Sequence, residues 1–242
     1  MIAGDGVRLM DTLKPLCVGG WLFFLVGCDP VIPVSSDHGP EVEVEPPYQQ
    51  RVVDYQCGDL PLQVRFSNGD SVLLVLPWRD LRLPARVAAS GALYQQDSNR
   101  FHGKGDMARL TLDGQADLEC QTTDRVSPWA RARDSGLRWR VVGNEPGWLA
   151  ELGGLREEGA GEPLTLRAVL DYGRRELQIS ELPEPGPDNI YQARIEGDLL
   201  TLALDEQPCQ DSMSGWVFPV TARLEFAGQV YRGCGRYFEV PW

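Results

Sequence analysis

Two short polar tips carry the side chains best placed for chemistry. Ser90 is followed by Gly91, and Lys104 lies between Gly103 and Gly105. Neighbouring glycines leave a hydroxyl and an ammonium uncrowded, and they let the backbone approach a partner closely. Ser90 could form a hydrogen bond with a partner, and Lys104 could contribute a positive charge. A surface hairpin with a solvated lysine is the alternative, because short motifs also match by chance.

The residues between these tips predict a hairpin. Residues 93–95 alternate weakly, residues 97–99 (Asp-Ser-Asn) have turn chemistry, and Phe101 begins the return strand. A hairpin brings its two ends together. Ser90 and Lys104 are therefore expected to project from the same rim.

The surrounding residues, 51–122, predict eight short strands at regular spacing. The triplet Asn68-Gly69-Asp70 separates two apolar runs and is typical of a hairpin turn. The clearest alternation lies in the second predicted strand, with inward Leu62, Val64 and Phe66 and outward Gln63 and Arg65. Eight short strands imply a closed antiparallel β-barrel, because closure leaves no open edge.

The tip motifs resemble those of a known family. The pattern is Ser90-Gly91-x-x-Tyr94 followed by an aromatic residue, Lys104-Gly105 and Ala108, framed by Tyr55-x-Cys57 upstream and Cys120 downstream. It resembles the MliC/PliC family of inhibitors of C-type lysozyme over about residues 51–122. The resemblance implies a small antiparallel barrel closed by one disulfide and a cationic protein, C-type lysozyme, as partner.

The resemblance also implies which residues contact the target. In the family, the serine and the lysine of these motifs enter the lysozyme cleft, and they correspond to Ser90 and Lys104. We add Tyr94, mainly as a support of the hairpin, and His102 as a contact on the rim. Family members often carry Trp at the position of His102 and Glu at that of Met107. These departures favour the alternative of an envelope-structural or ligand-sensing lipoprotein that uses the same scaffold without inhibiting lysozyme.

The net charge of the chain restricts its partners. At −12, it argues against nucleic acid and against an anionic lipid surface. It suits a cationic partner, although an acidic solubilising surface would explain it equally well. No metal site and no cofactor are predicted, because the histidines are His38 and His102 and no C-x-x-C motif is present.

The N-terminal residues predict export and lipidation. Residues 1–28 read as a lipoprotein signal peptide, with Met1 or Met10 as the start. Leu25-Val26-Gly27-Cys28 resembles a bacterial lipobox, so Cys28 is the predicted site of acylation (palmitate among the acyl chains) and of anchoring in the lipid bilayer. An ordinary secretory signal or a simple anchor helix is the alternative. The proline-rich residues 29–50 predict a disordered linker.

This signal predicts a place in the bacterial cell envelope, facing the periplasm. The outer membrane is favoured, and Asp29 leaves the inner membrane open because it resembles a retention signal of enteric bacteria.

Four cysteines follow the signal region, an even number in a chain predicted to be exported. One pair is assigned to each predicted domain, which gives Cys57–Cys120 and Cys209–Cys234.

A second β-rich domain is predicted over residues 137–242, after a polar connector at 123–136 with room for one helical turn. Eight strands are predicted in it, including one uninterrupted strand at Val217–Phe226. Three sequence motifs of this domain resemble an uncharacterised family of bacterial lipoprotein domains related in pattern to META/HslJ-type domains. They are Gly143–Trp148, Cys209–Pro219 and Tyr231–Gly235.

No enzyme activity is predicted for this second domain. Glu145, Asp211 and Ser214 are its candidate polar residues, but no histidine follows His102 to complete a Ser-His-Asp triad. Asp211 and Ser214 are expected to satisfy backbone donors in a turn. A ligand-binding or partner-binding surface at the Gly143–Trp148 loop is a third possibility.

Overall fold

The computed structural model describes residues 51–153 and 163–238, and all of them belong to one compact unit, Pro47–Trp242. The predicted signal peptide, Cys28 and the linker lie outside the described residues. Within those residues, no helix is long and apolar enough to cross a bilayer. Strands dominate, and the predicted all-β class is confirmed.

The first eight strands form a closed antiparallel barrel, in which each strand pairs with the next and the last pairs with the first. This confirms the barrel predicted for residues 51–122. The strands are β1 (Arg51–Cys57), β2 (Leu60–Ser67), β3 (Ser71–Val75), β4 (Asp80–Arg86), β5 (Ala92–Gln96), β6 (Asn99–Lys104), β7 (Met107–Thr111) and β8 (Leu118–Thr122).

Alternation along the strands fills the barrel interior. In β2, Leu62 and Val64 are fully buried, and Phe66 packs against the same core. Gln63 alternates with Leu62 and Val64 and points outward, as predicted, but only 3% of this residue is exposed. Its amide donates to Asp54 and accepts from Arg65. The guanidinium of Arg65 also reaches Asp134, so the connector covers this outer face of the barrel.

The connector contains one short helix, α1 (Pro128–Asp134), which matches the predicted helical turn. Proline is well suited to the first position of a helix because its fixed φ is already helical and the missing N–H has no partner there. Trp129, Ala130 and Ala132 form the buried side of α1.

A second sheet of eight strands follows. Its strands are β9 (Trp139–Asn144), β10 (Gly147–Gly153), β11 (Leu164–Leu170), β12 (Arg175–Leu182), β13 (Ile190–Ile195), β14 (Asp198–Asp205), β17 (Val220–Phe226) and β18 (Gln229–Tyr237). Their order in the sheet is β12-β11-β10-β9-β18-β17-β14-β13. A separate pair is formed by β15 (Cys209–Gln210) and β16 (Val217–Phe218). The single strand predicted at Val217–Phe226 is therefore wrong. Pro219 interrupts it, because proline has no N–H to donate to the ladder.

Both predicted disulfides are confirmed. Cys57–Cys120 joins β1 to β8, the two strands whose pairing closes the barrel, with the Cα atoms 4.0 Å apart. Cys209–Cys234 joins β15 to β18, with the Cα atoms 5.4 Å apart. The first bridge therefore fastens the seam of the barrel covalently.

The two ends of the barrel have different surroundings. At one end, the loop between β3 and β4 contacts the second sheet region, where the rings of Trp78 and Trp216 lie 5.4 Å apart. Arg236 of β18 donates to the carbonyl of Leu76 and to Asp80 at the same end. Because successive strands are antiparallel, the β4–β5 loop and the β6–β7 turn lie at the opposite end.

Candidate functional site

The two predicted tips lie at this opposite end of the barrel. Residues 87–91 connect β4 to β5, and Gly105-Asp106 connects β6 to β7. Ser90 and Lys104 are both exposed. The second sheet contacts the barrel at its other end, so the contacts described above leave this rim uncovered.

The hairpin register brings the two tips into contact. Ala92 of β5 pairs with Gly103 of β6, which places Gly91 beside Lys104. A Cβ atom added to Gly91 would lie 2.4 Å from the carbonyl oxygen of Gly103 and 3.3 Å from the Cβ of Lys104. Gly91 also has a φ of 70°, a conformation that other residues rarely adopt. The backbone that carries Ser90 is thus packed directly against the base of Lys104.

Aromatic side chains hold this hairpin from inside the barrel. Tyr94 and Phe101 are paired across β5 and β6, and their exposed fractions are only 6% and 0%. Tyr94 packs edge-on against Phe66 at 5.9 Å, and Phe101 packs against Tyr55 at 5.5 Å. Tyr94 therefore supports the rim from the core and does not lie on its surface.

His102 lies on the outer face of the same hairpin and is partly buried. Its Nε2 is 2.8 Å from the carbonyl oxygen of Ser90. Strand pairing places Leu93 on one side of it and Arg109 on the other. The sequence predicts His102 as a rim contact, but it did not predict the contact of His102 with Ser90. The signal was the hairpin register, which places residue 102 beside the start of β5.

Lys104 differs from Arg100 and Arg109 in having no carboxylate partner among the described residues. Arg100 pairs with Asp117 at 3.1 Å, and Arg109 pairs with Glu119 at 2.7 Å. The hydroxyl of Thr111, followed by the nearby guanidinium groups, holds the pKa of Asp117 below its ordinary value. Arg100 and Arg109 are therefore neutralised within the protein, whereas the ammonium of Lys104 is available to a partner.

Composition adds a signal that the sequence reasoning did not use. Apart from Lys14, Lys104 is the only lysine of the 242 residues. The ion pairs among the described residues use arginine throughout. Lysine is a compact point charge on a flexible stem, whereas arginine has a planar fork suited to bidentate pairing. The residue type at 104 thus separates this cation from the structural ones.

The polar candidates of the second domain form a turn. The Oδ1 of Asp211 accepts from the backbone N–H and the hydroxyl of Ser214, each at 2.7 Å, and Oδ2 accepts from Asn144 at 2.7 Å. Burial alone would raise the pKa of Asp211, but the hydrogen bonds from Ser214, Asn144 and Met213 together lower it. The carboxylate is thus committed to the turn. Glu145 is exposed beside it.

The three sequence motifs of the second domain, Gly143–Trp148, Cys209–Pro219 and Tyr231–Gly235, lie close together in the structure. A Cβ at Gly143 would lie 2.2 Å from the carbonyl oxygen of Arg232, to which Trp148 donates at 2.9 Å. Gly143, Arg232 and residues of the Cys209–Pro219 segment line a cleft of about 250 Å³. Within the described residues, no group of three or more His, Cys, Asp or Glu side chains could hold a metal ion.

Comparison with known proteins finds a family match over most of the barrel. Residues 55–119 match the family described as "Membrane-bound lysozyme-inhibitor of c-type lysozyme" (MliC). A curated relative, the membrane-bound lysozyme inhibitor of C-type lysozyme of Yersinia enterocolitica serotype O:8 / biotype 1B (strain NCTC 13174 / 8081), is 39% identical over 66 residues. The match covers 27% of this chain and 56% of the relative, so the chain spans about half the length of that relative. No solved structure matches the chain significantly. The resemblance of the barrel to the MliC family is confirmed.

Proposed function

We propose that this chain is a lysozyme inhibitor that inserts the Ser90–Lys104 rim into the active-site cleft of a C-type lysozyme. The observation that carries the proposal is the exposed ammonium of Lys104, without a carboxylate partner among the described residues, packed beside the Ser90 loop on an uncovered rim. The match of residues 55–119 to the inhibitor family supports it.

The proposed mechanism rests on the chemistry of glycoside hydrolysis. A retaining glycosidase such as lysozyme uses two carboxyl groups about 5–5.5 Å apart, one of which must be protonated to act as general acid. An ammonium placed between them stabilises the ionised form and lowers the pKa of the acid. The proton donor is then lost. The serine hydroxyl donates a hydrogen bond to one carboxylate and sets the register, while the rim itself excludes the sugar.

Charge complementarity supports the same partner. The chain carries a net charge of −12, and lysozymes are typically basic. Opposite net charges accelerate encounter, while the contact itself is decided by a few desolvated groups. In this arrangement the acidic surface attracts the target, and Lys104 supplies the positive charge that its carboxylates require.

We also propose that Cys28 is acylated and anchors the inhibitor in the bacterial envelope, facing the periplasm. The lipobox-like Leu25-Val26-Gly27-Cys28 supports this assignment. Several acyl chains on one residue give stable anchoring, since each buried CH₂ contributes about 0.8 kcal/mol. Labelled palmitate should enter the wild-type chain and not Cys28→Ala. Equal labelling of the two would contradict the anchor.

The inhibitor proposal predicts the effect of removing one charge. In a turbidimetric lysozyme assay with the chain lacking residues 1–28, Lys104→Met should raise the inhibition constant at least about 100-fold, because the partner carboxylates lose a desolvated charge pair. Methionine keeps most of the apolar stem of lysine.

A matched control is Arg174→Ala, which removes one positive charge from an exposed site outside the barrel. It should inhibit like the wild type. An unchanged inhibition constant for Lys104→Met would contradict the mechanism. If the wild-type chain neither inhibits nor retains lysozyme, an envelope-structural or ligand-sensing role becomes the better reading, to which His102 and Met107 already point.

A further inference from the structure

We infer that His102 is a positioning residue, which fastens the Ser90 loop to β6 and so fixes the distance between Ser90 and Lys104. The inference rests on the proposed inhibitory function, because it concerns how the same rim is preorganised. It is carried by the 2.8 Å contact between His102 Nε2 and the carbonyl oxygen of Ser90.

The chemistry of the contact determines which ring nitrogen carries a proton. A carbonyl oxygen can only accept, so Nε2 must donate. In the neutral imidazole the proton is therefore on Nε2, and Nδ1 is an acceptor. Protonation of the ring adds a proton to Nδ1 and leaves the Nε2 proton in place. The bond consequently persists in both charge states of His102.

The loop has few other restraints. Val87 is fully exposed, and Ala89, Ser90 and Gly91 are exposed as well. Apart from the strand ladder, the His102 contact is the one hydrogen bond that the described part of the chain supplies to residues 87–91. A loop with so few contacts would otherwise sample several positions.

The neighbours of His102 leave this bond intact. Leu93 on β5 is apolar and cannot compete for the Ser90 carbonyl. Arg109 on β7 is engaged by Glu119 at 2.7 Å and lies 3.6 Å from Asp117. Neither neighbour therefore blocks the hydrogen bond from His102 to the Ser90 carbonyl. Arg109 is held by carboxylates on β8 and on the loop before β8.

The geometry connects this bond to the proposed contact residues. His102 and Lys104 are two residues apart on β6 and share the outer face, because side chains alternate along a strand. The bond from His102 holds Ser90, and Gly91 abuts the base of Lys104. Ordering a loop during binding costs affinity, and a loop that is already ordered avoids that cost. His102 therefore acts on inhibition through Ser90.

Substitutions that keep or remove the donor test this role. His102→Gln retains an N–H donor at a similar reach, whereas His102→Phe keeps a ring without a donor. In the chain lacking residues 1–28, His102→Phe should raise the inhibition constant about tenfold, as expected for one lost hydrogen bond. His102→Gln should rescue inhibition to within about threefold of the wild type. His102→Leu serves as a second donor-free variant if His102→Phe does not fold.

A double-mutant cycle with Ser90→Ala separates positioning from direct contact. If His102 acts through Ser90, the tenfold effect of His102→Phe should shrink to about twofold in the Ser90→Ala background. Equal effects in both backgrounds would overturn the inference, since a direct contact of His102 with lysozyme is additive with the serine.

A measurement without lysozyme distinguishes this inference from the proposed function. The backbone ¹⁵N order parameters of Ser90 and Gly91 should fall from about 0.85 to below about 0.6 in His102→Phe and stay high in His102→Gln. Unchanged order parameters in His102→Phe would overturn the inference. If the wild type does not inhibit at all, the proposed function fails, and the order parameters alone support or overturn the restraint of the loop.

Discussion

At the residue scale, Lys104 is chemically distinct from the arginines, which are the other positively charged residues of residues 51–242 at pH 7. Arginines form the ion pairs among the described residues, including Arg100–Asp117 and Arg109–Glu119 beside the rim. A guanidinium matches one carboxylate bidentately, whereas a compact ammonium can approach two carboxylates at once. A lysine at the rim is thus better suited than an arginine to contact two carboxylates in a cleft.

This distribution of cations permits a test by chemical modification. An amine-specific acylating reagent applied to the chain lacking residues 1–28 can reach Lys104 and the α-amine only, since the other lysine is Lys14. Acylation removes the positive charge, so we expect inhibition to be lost in proportion to modified Lys104, as measured by peptide mass spectrometry. Bound lysozyme should protect Lys104 from the reagent.

The matched control is Lys104→Arg treated with the same reagent, which modifies its α-amine alone. Whatever inhibition this variant has before treatment should be unchanged afterwards. Full inhibition by a chain acylated at Lys104 would rule out the ammonium as the inhibitory group.

At the element scale, the alternation of side chains along the β5–β6 hairpin determines which of them lie on the exposed rim. Tyr94 and Phe101 point inward, so His102 and Lys104 share the outward parity of β6. The same register places Gly91 against Lys104, where a side chain would collide with the backbone. The hairpin therefore assembles the rim from local alternation together with one glycine at a close approach.

The polar residues around Asp211 stabilise a turn, whereas those of the rim are exposed. The Asp211 carboxylate accepts hydrogen bonds from Ser214, Met213 and Asn144, which join the loop before β16 to the end of β9. Because these bonds favour the ionised form, they lower the pKa of Asp211 despite its burial. The residues that looked most like an acid–base set thus have a structural explanation.

At the scale of the whole molecule, a charged cluster joins the barrel to the rest of the chain. Asp80 at the start of β4 pairs with Arg133 of α1 at 2.8 Å and with Arg236 of β18 at 3.0 Å. The arginine side chains are only 12% and 6% exposed. The barrel, the connector and the second sheet therefore share one ionic contact far from the rim.

This cluster predicts that the barrel and the second sheet unfold together. Asp80→Asn should lower the free energy of unfolding by about 3–5 kcal/mol, because it removes the carboxylate that two largely buried arginines bind. Urea unfolding followed by circular dichroism and by tryptophan fluorescence measures this, and the two signals should coincide in the wild type.

Asp124→Asn is the control, since it makes the same charge change at an exposed site. It should alter stability by less than about 0.5 kcal/mol. Equal stability of the two variants would show that the Asp80 cluster does not join the two parts.

The amino-acid sequence by itself determined the features that depend on local pattern. Period-two alternation and turn residues predicted the all-β class and the barrel over residues 51–122, and one cysteine pair per predicted domain identified both disulfides. Only the tertiary structure decided contacts between distant residues. It buried Gln63 under the connector, bonded His102 to Ser90, and gathered Asp80, Arg133 and Arg236. Alternation is a property of neighbouring residues, whereas these contacts require strand registers and packing that no short stretch of the chain encodes.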